Sequence, residues 1–253
     1  MRKQIVGKIP ELNSEPDVLL TIGIPTFNRP QELQELLYAI EKRVSDHSIL
    51  KIEILISDNN SNPNIESLVA PFLRRNPHFR LVTNMENIGY DRNIDQIFYL
   101  SRGKYVLIVA DDDRIKSEHF FDVYSVFENA AADIVLFESV FFDVSLKSAL
   151  SFEEEFFRHV GETKYFESGV QLLSDLSCEI FGGITGFCMK RSLWNQSRRS
   201  CYFGTNWIHL GVLLENLECQ NLLHQGLRLH WSCDPVPNHQ FSKQWTTDKA
   251  LGC

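Results

Sequence analysis

Asp111, Asp112 and Asp113 stand in a row directly after the apolar run of residues 105–110. Carboxylates a few ångströms apart repel one another and raise one another's pKa, so the placement is unfavourable unless something offsets it. A hard divalent cation does so. Mg2+ or Mn2+ prefers oxygen ligands and takes one or two carboxylates together with substrate phosphates and water. At a strand's carboxyl end, such a group suggests a cation that bridges a diphosphate and acts as a Lewis acid on a departing nucleotide. The structural alternative is a solvated acidic turn that caps the next helix.

For these residues to act, a scaffold must hold them beside other polar groups. The first half of the chain alternates strand and helix signals at short spacing, the pattern of a parallel sheet wrapped by helices. Residues 18–25, 52–57, 79–83 and 104–110 read as strands, and 30–43, 65–75 and 91–101 as helices. Leu33, Leu36, Leu37 and Ile40 recur at helical spacing behind Pro30, which a first helical turn tolerates. Each strand runs into a polar loop: residues 26–29, the Asn-rich turn 58–63, residues 84–89, and 111–114. Ligands of an open parallel sheet sit outside the carboxyl ends of its strands, so four such loops define a site. Further on, 120–128, 168–176 and 206–217 read as helices, 133–140 and 227–233 as strands, and the Phe-rich acidic stretch 152–166 as a surface excursion or lid.

Composition narrows the function classes. At 253 residues and 43% hydrophobic content the chain has material for a single α/β domain, 1–253, with a C-terminal elaboration. A formal charge of −8 argues against a nucleic acid partner, whose binding rests on clustered Lys and Arg. No apolar run approaches membrane-spanning length and the N-terminus lacks a signal-type stretch, which predicts a cytoplasmic protein. The six cysteines form no CxxC pair or Cys/His ligand set and read as scattered thiols.

Four segments carry a family resemblance. Leu20-Thr-Ile-Gly-Ile-Pro-Thr-Phe-Asn-Arg-Pro30 resembles the opening strand and loop of family two glycosyltransferases, and residues 54–62 resemble their second strand and its Asp-containing turn. Asn87-Ile-Gly89 with Arg92-Asn93 is similar to the N-x-G…RN segment, and residues 105–113 to the strand that ends in the DxD-type motif. The ending Ala-Asp-Asp-Asp and the later Gly182-Gly-Ile-Thr-Gly186 look most like the abequosyltransferase-like branch, which decorates bacterial surface polysaccharides.

The resemblance implies a GT-A-type, Rossmann-like α/β domain with a mostly parallel sheet. Residues 18–114 would bind a nucleotide diphosphate sugar and 115–253 a glycan or lipid-linked acceptor. Transfer of a hexose or deoxyhexose to a hydroxyl, with inversion, would require Mn2+ or Mg2+. Pro25, Thr26 and Asn28 would line the nucleoside pocket, Asp58 and Asn59 would bond the base, and Arg92 and Asn93 would lie near the nucleotide or sugar. Asn59 stands where the family often has a second Asp, which leaves base identity open. Asp112 aligns best with the main metal ligand; Asp111 and Asp113 could bind ribose, sugar or cation, and the DxD spacing favours that pair.

The second half should supply a general base for an inverting transfer. The family's Glu-Asp pair at a late helix is absent, and His209 is the titratable group at the matching place. A structural role for a lone helical His is the alternative. Gly183, Thr185 and Gly186 would form a close-approach loop beside the donor sugar, since glycine lets backbone meet ligand; a plain turn competes with this. Lys190, Arg191, Arg198 and Arg199 with Trp194 form a basic, aromatic group that could meet a lipid-linked diphosphate or the inner membrane face, against the alternative of a solvated helix face. A sugar nucleotidyltransferase is the competing enzyme class, though residues 25–30 lack its Gly-rich basic loop. An inert nucleotide-binding relative is the third reading, because the chain ends at Cys253, earlier than this branch leads one to expect.

Overall fold

A computed structural model describes residues 18–45, 50–113, 124–125, 127–128, 132–141, 163–166, 171–172, 183–223 and 229–238. The strands are β1 (Leu20–Thr26), β2 (Ile52–Asp58), β3 (Phe79–Thr83), β4 (Tyr105–Ile108), β5 (Ile134–Phe141), β6 (Thr163–Phe166), β7 (Phe187–Lys190) and β8 (Leu229–Asn238). The helices are α1 (Pro30–Ser45), α2 (Glu66–Arg75), α3 (Tyr90–Leu100), α4 (Arg191–Gln196) and α5 (Ile208–Leu223), with a 3-10 turn at Arg199–Tyr202.

The eight strands of the described residues join one sheet in the order β3-β2-β1-β4-β7-β5-β8-β6. β3, β2, β1 and β4 are parallel, β7 is antiparallel to both β4 and β5, β8 is parallel to β5, and β6 is antiparallel to β8. Only β6 and β7 therefore oppose the common direction, so the mostly parallel sheet is as expected.

Burial on both faces explains why the central strands are almost uninterrupted apolar runs. In β1 and β2 every residue but Pro25 is buried. Besides Asp58 at the end of β2, Glu53 is the charged residue there, and its carboxylate accepts the Thr21 hydroxyl and the Arg102 amide at 2.8 Å each and pairs with Arg80 at 2.7 Å. Those partners offset the loss of water around a buried charge.

One face of the sheet is covered by α1 through Leu33, Leu36, Leu37, Ile40 and Val44, and by Val69 and Phe72 of α2. The other face packs against Ile94, Ile97 and Phe98 of α3, Trp194 of α4, and Ile208, Val212 and Leu213 of α5. α3 approaches β1 so closely that a Cβ on Gly23 would meet the Ile97 side chain. Gly103 enters β4 against the Thr21 backbone nitrogen, 2.5 Å from where a Cβ would stand.

Several boundaries differ from the sequence reading. β4 ends at Ile108, two residues earlier than expected, because the chain turns at Ala110 into the aspartate run. α5 begins at Ile208, later than expected, since Asn206 takes a left-handed φ of 62°. β7 was not anticipated. Strand β6 occupies the end of the stretch expected to be an excursion or lid, whose residues 152–162 lie outside the described ones; of the helix expected over 168–176 only 171–172 are described.

The basic, aromatic group turns its ring inward, although the Arg198 side chain stays 74% exposed. Trp194 is fully buried, stacked on Phe98 with centroids 3.8 Å apart, and its indole donates to Asp95 at 2.8 Å. Lys190 pairs with Asp133, Arg191 donates to the Ser101 carbonyl at 2.8 Å, Arg198 meets Glu215 at 3.4 Å, and Arg199 meets Asp95 at 3.0 Å. Arg191 and Arg199 tie their segment to α3, Arg198 ties it to α5, and Lys190 joins the end of β7 to the start of β5.

Candidate functional site

Strand register builds the site. Thr26 at the end of β1 lies opposite Asp58 at the end of β2, and Gly23 lies opposite Ile108 of β4. Running the second register three residues past Ile108 brings Asp111 level with Thr26, and the Thr26 hydroxyl donates to Asp111 Oδ2 at 2.7 Å. Asp58, Thr26 and Asp111 thus form one row across the carboxyl edge of the sheet.

The loops behind that row are laced together. Asn28, left-handed at φ 58°, accepts the Asn62 amide on Oδ1 at 2.8 Å and donates its own amide to the Ser61 hydroxyl at 2.9 Å. Asp58 Oδ1 accepts the Ser61 amide at 3.0 Å and the Ser61 hydroxyl at 2.6 Å. Its other oxygen, Oδ2, is buried and has no hydrogen-bond partner among the described residues. An unsatisfied buried carboxylate oxygen is uncommon and is explained where a ligand's N–H or O–H completes it. Pro25 is half-buried beside this row.

The aspartates do not share one environment. Asp111 is 4% exposed and its carboxyl is pushed up to about 7: burial is the main cause and the neighbouring Asp112 adds to it, while Arg29 and the Thr26 hydroxyl pull the other way. Asp112 is half-buried. Arg29 Nη1 reaches Asp111 Oδ1 at 3.2 Å and also pairs with Asp112 Oδ2. Burial works against the Arg29 charge, but these two carboxylates raise its pKa above the ordinary value. Asp113 is fully buried and accepts the Thr185 hydroxyl, while Thr185 Oγ1 also accepts the Ala110 amide at 2.8 Å. The Gly183–Gly186 loop, turned by Gly186 at φ 88°, is thereby fastened to the tip of β4. Tyr90 at the start of α3 completes the enclosure; burial raises its phenol pKa, and Asp91, Asp113 and Asp112 reinforce the shift.

The site therefore answers its charge problem partly from within, through Arg29. Three aspartate ligands on one cation is not the geometry found, because Asp113 is held by Thr185. Among the described residues no group of three or more His, Cys, Asp or Glu side chains converges on a point. A pair, Asp111 and Asp112, does fit a hard cation: both already turn oxygens toward one positive group, and Mg2+-type sites are completed by substrate phosphates and water.

Other predicted residues have different tasks. Asn59 Oδ1 accepts from Asn84 at 3.0 Å and from the Ile88 amide at 2.9 Å, and its amide donates to Asn87 at 2.7 Å, so it clamps the loop before α3. Asn93, 3% exposed, accepts the Ser57 hydroxyl at 2.7 Å and is inside the fold, not facing the row. Arg92 is exposed, with its guanidinium 4.4 Å from the centre of the Phe203 ring. His209 is 3% exposed, and the ring centres of Phe187 and Trp207 lie 6.2 and 5.8 Å from its own.

Sequence reasoning missed the part played by Arg29, although it sits in the quoted Asn-Arg-Pro stretch. A cation at a strand's end, facing a predicted aspartate run across a parallel register, was the available signal. It also missed Asp91, which had no distinguishing mark in the sequence.

Comparison with known proteins agrees with this fold. The chain is 27% identical to abequosyltransferase RfbV of Salmonella typhimurium, over 92% of this chain and 72% of that protein. In fold it is similar to Staphylococcus aureus TarS 1-349 in complex with UDP, with a TM-score of 0.62 and 15% identity over 87% of this chain. It is also similar to the mannosyltransferase PcManGT from Pyrobaculum calidifontis in complex with GDP-Man and Mn2+, with a TM-score of 0.53 and 14% identity over 89% of this chain. The chain spans 59% and 60% of the length of those two solved chains. These likenesses support the GT-A-type architecture and the abequosyltransferase-like resemblance. Residues 21–190, which include Thr26, Asp58 and the aspartate run, match Glycosyl transferase family 2 over more than half of the sequence, and the chain belongs to that family.

Proposed function

We propose that the protein transfers a hexose or deoxyhexose from a nucleoside diphosphate sugar to a hydroxyl of a glycan or lipid-linked oligosaccharide, in bacterial surface polysaccharide synthesis. The observation that carries the proposal is the row Asp58, Thr26 and Asp111, with Asp112 and Arg29 beside it on one sheet edge. Asp58, through the unpartnered Oδ2, accepts an N–H of the base, and Pro25 and Asn28 wall the nucleoside.

Asp111 and Asp112 would hold Mn2+ or Mg2+, which would supply Lewis-acid charge to the leaving diphosphate. Thr26 fixes the rotamer of Asp111 through its hydroxyl, and Thr185 keeps Asp113 turned away from the pair. Tyr90 and the Gly183–Gly186 loop exclude water from the buried carboxylates. Inversion at the anomeric carbon belongs to the proposal. His209 does not, because its ring is enclosed. The solved structures of similar fold support the donor class: TarS 1-349 is in complex with UDP in one and with UDP-GlcNAc in another, and PcManGT is in complex with GDP-Man and Mn2+. No described helix is long and apolar enough to cross a membrane.

Calorimetric titration with UDP, CDP, GDP and dTDP, with and without Mn2+, tests the reading. One nucleotide should bind with Mn2+ and lose that binding in Asp112→Ala. Binding that ignores Mn2+, or no binding at all, sinks it. Binding without hydrolysis or transfer of the matching nucleotide sugar identifies an inert relative.

A further inference from the structure

Arg29 immediately precedes α1, and its carbonyl accepts the Leu33 amide at 3.1 Å, so its backbone is fixed. Its side chain is less confined: it is 29% exposed and meets the aspartates through one nitrogen, Nη1. Among the described residues it is the cation that pairs with Asp111 and Asp112, the two carboxylates assigned above to the metal. We infer that Arg29 is an internal counter-cation, which stands in for the metal in the nucleotide-free protein and moves onto the diphosphate when metal and nucleotide bind together. The inference rests on the proposed function.

Charge and geometry lead to it. With both carboxylates ionised, they and the guanidinium leave a net single negative charge, and the Nη1–H bonds occupy an oxygen of each carboxylate that a hard cation would use. A divalent ion arriving alone must displace Arg29 into solvent or sit beside a like charge, and both weaken its binding. A nucleoside diphosphate brings new anionic oxygens to the same place, and a guanidinium bonds phosphate as well as carboxylate. The exposed Phe27 and Asn28 leave space on that side for the movement. The nucleotide thus relieves the competition, which makes metal and nucleotide binding mutually reinforcing. Arg29 is a positioning residue in this scheme.

Mn2+ titration followed by electron paramagnetic resonance tests it, on wild type, Arg29→Gln, Arg29→Ala and Arg29→Lys, without nucleotide and then with UDP, CDP, GDP or dTDP. Arg29→Gln and Arg29→Ala should bind Mn2+ alone about tenfold more tightly than wild type, within the range usual for coupled sites. The factor by which nucleotide improves Mn2+ binding should shrink in both. Arg29→Lys, which keeps the charge, should stay within about twofold of wild type. Either neutral variant suffices if the other fails to fold by circular dichroism. Mn2+ affinity in the folded neutral variants that equals or falls below wild type overturns the inference. Failure of every nucleotide to bind wild type with Mn2+ instead overturns the transferase reading, and the metal-only comparison still decides the role of Arg29.

Discussion

Asp91 in α3 accepts the backbone amide of Ile208 at 3.1 Å across 117 residues of sequence, and its second oxygen accepts the Asn206 amide at 2.9 Å. The first turn of α5 is therefore capped from another helix, which also fixes the loop that carries Trp207. Loss of this carboxylate orphans two amides near the start of a helix. Asp91→Ala should lower stability by about 2 kcal/mol, and Asp91→Asn by less, since an amide oxygen still accepts. Urea midpoints of the two variants check this, and equal midpoints for wild type and Asp91→Ala would refute it.

The unequal surroundings of Asp112 and Asp113 separate their roles. Asp112→Asn should weaken Mn2+-dependent nucleotide binding by at least about tenfold, since one of two carboxylate ligands is lost. Asp113→Asn should leave that affinity within about threefold and reduce stability by about 1 kcal/mol, because Thr185 then bonds an amide oxygen inside the fold. Calorimetry on both variants gives the comparison, and equal losses of affinity would remove the distinction.

Acidity offers a separate test in protein stripped of divalent ions with EDTA. The Asp111 carboxyl is raised from an ordinary value near 4 up to about 7, chiefly by burial, with Asp112 adding and Arg29 opposing. Between those values the folded protein holds a proton that the unfolded chain releases. Stability should therefore fall as pH rises from about 4 to 7, by an amount on the order of a few kcal/mol, and level off above. Asp112 and Arg29 act on the same group, so the informative quantity is the difference from Asp111→Asn, which should remove this part of the slope. Denaturation midpoints from pH 5 to 8 provide the measurement; parallel slopes for the two proteins would count against it.

Trp194 anchors the face opposite α1. Trp194→Ala deletes the stack on Phe98 and the bond to Asp95, and should destabilise by about 3–5 kcal/mol. Nucleotide affinity of the fraction that remains folded should be unchanged. Chemical denaturation and calorimetry together check both parts.

The parallel half of the fold was legible in the sequence because burial on both faces leaves long apolar runs, and each run stops at a polar loop. Residues 79–83 matched β3 end for end, and α3 fell within a residue of its predicted range. The second half was harder to read for identifiable reasons. β7 is four residues long and follows a Gly-rich turn, so Phe187, Cys188 and Met189 carry no periodicity to measure. Trp194 lies among four cations in sequence, which suggested a surface, whereas its ring turns inward and the charges pair around it. Within the site, Asp111 and Asp112 were visible as chemistry. The partner groups that set this pair apart from Asp113, Arg29 for the pair and Thr185 for Asp113, lie far apart in sequence, and the sheet brings them together.

The antiparallel strand β7 lies between β4 and β5, so the edge of β4 is covered by chain made much later. During synthesis, the ribosome would release β1 through β4 with Val106 and Ile108 bordering an unpaired edge, a template for intermolecular strand addition. A fragment stopped at Asp113 should accordingly be insoluble, and an insertion after Ile108 more disruptive than its position between two halves implies. The nascent enzyme depends on Phe187 to Lys190 arriving before that edge finds another chain.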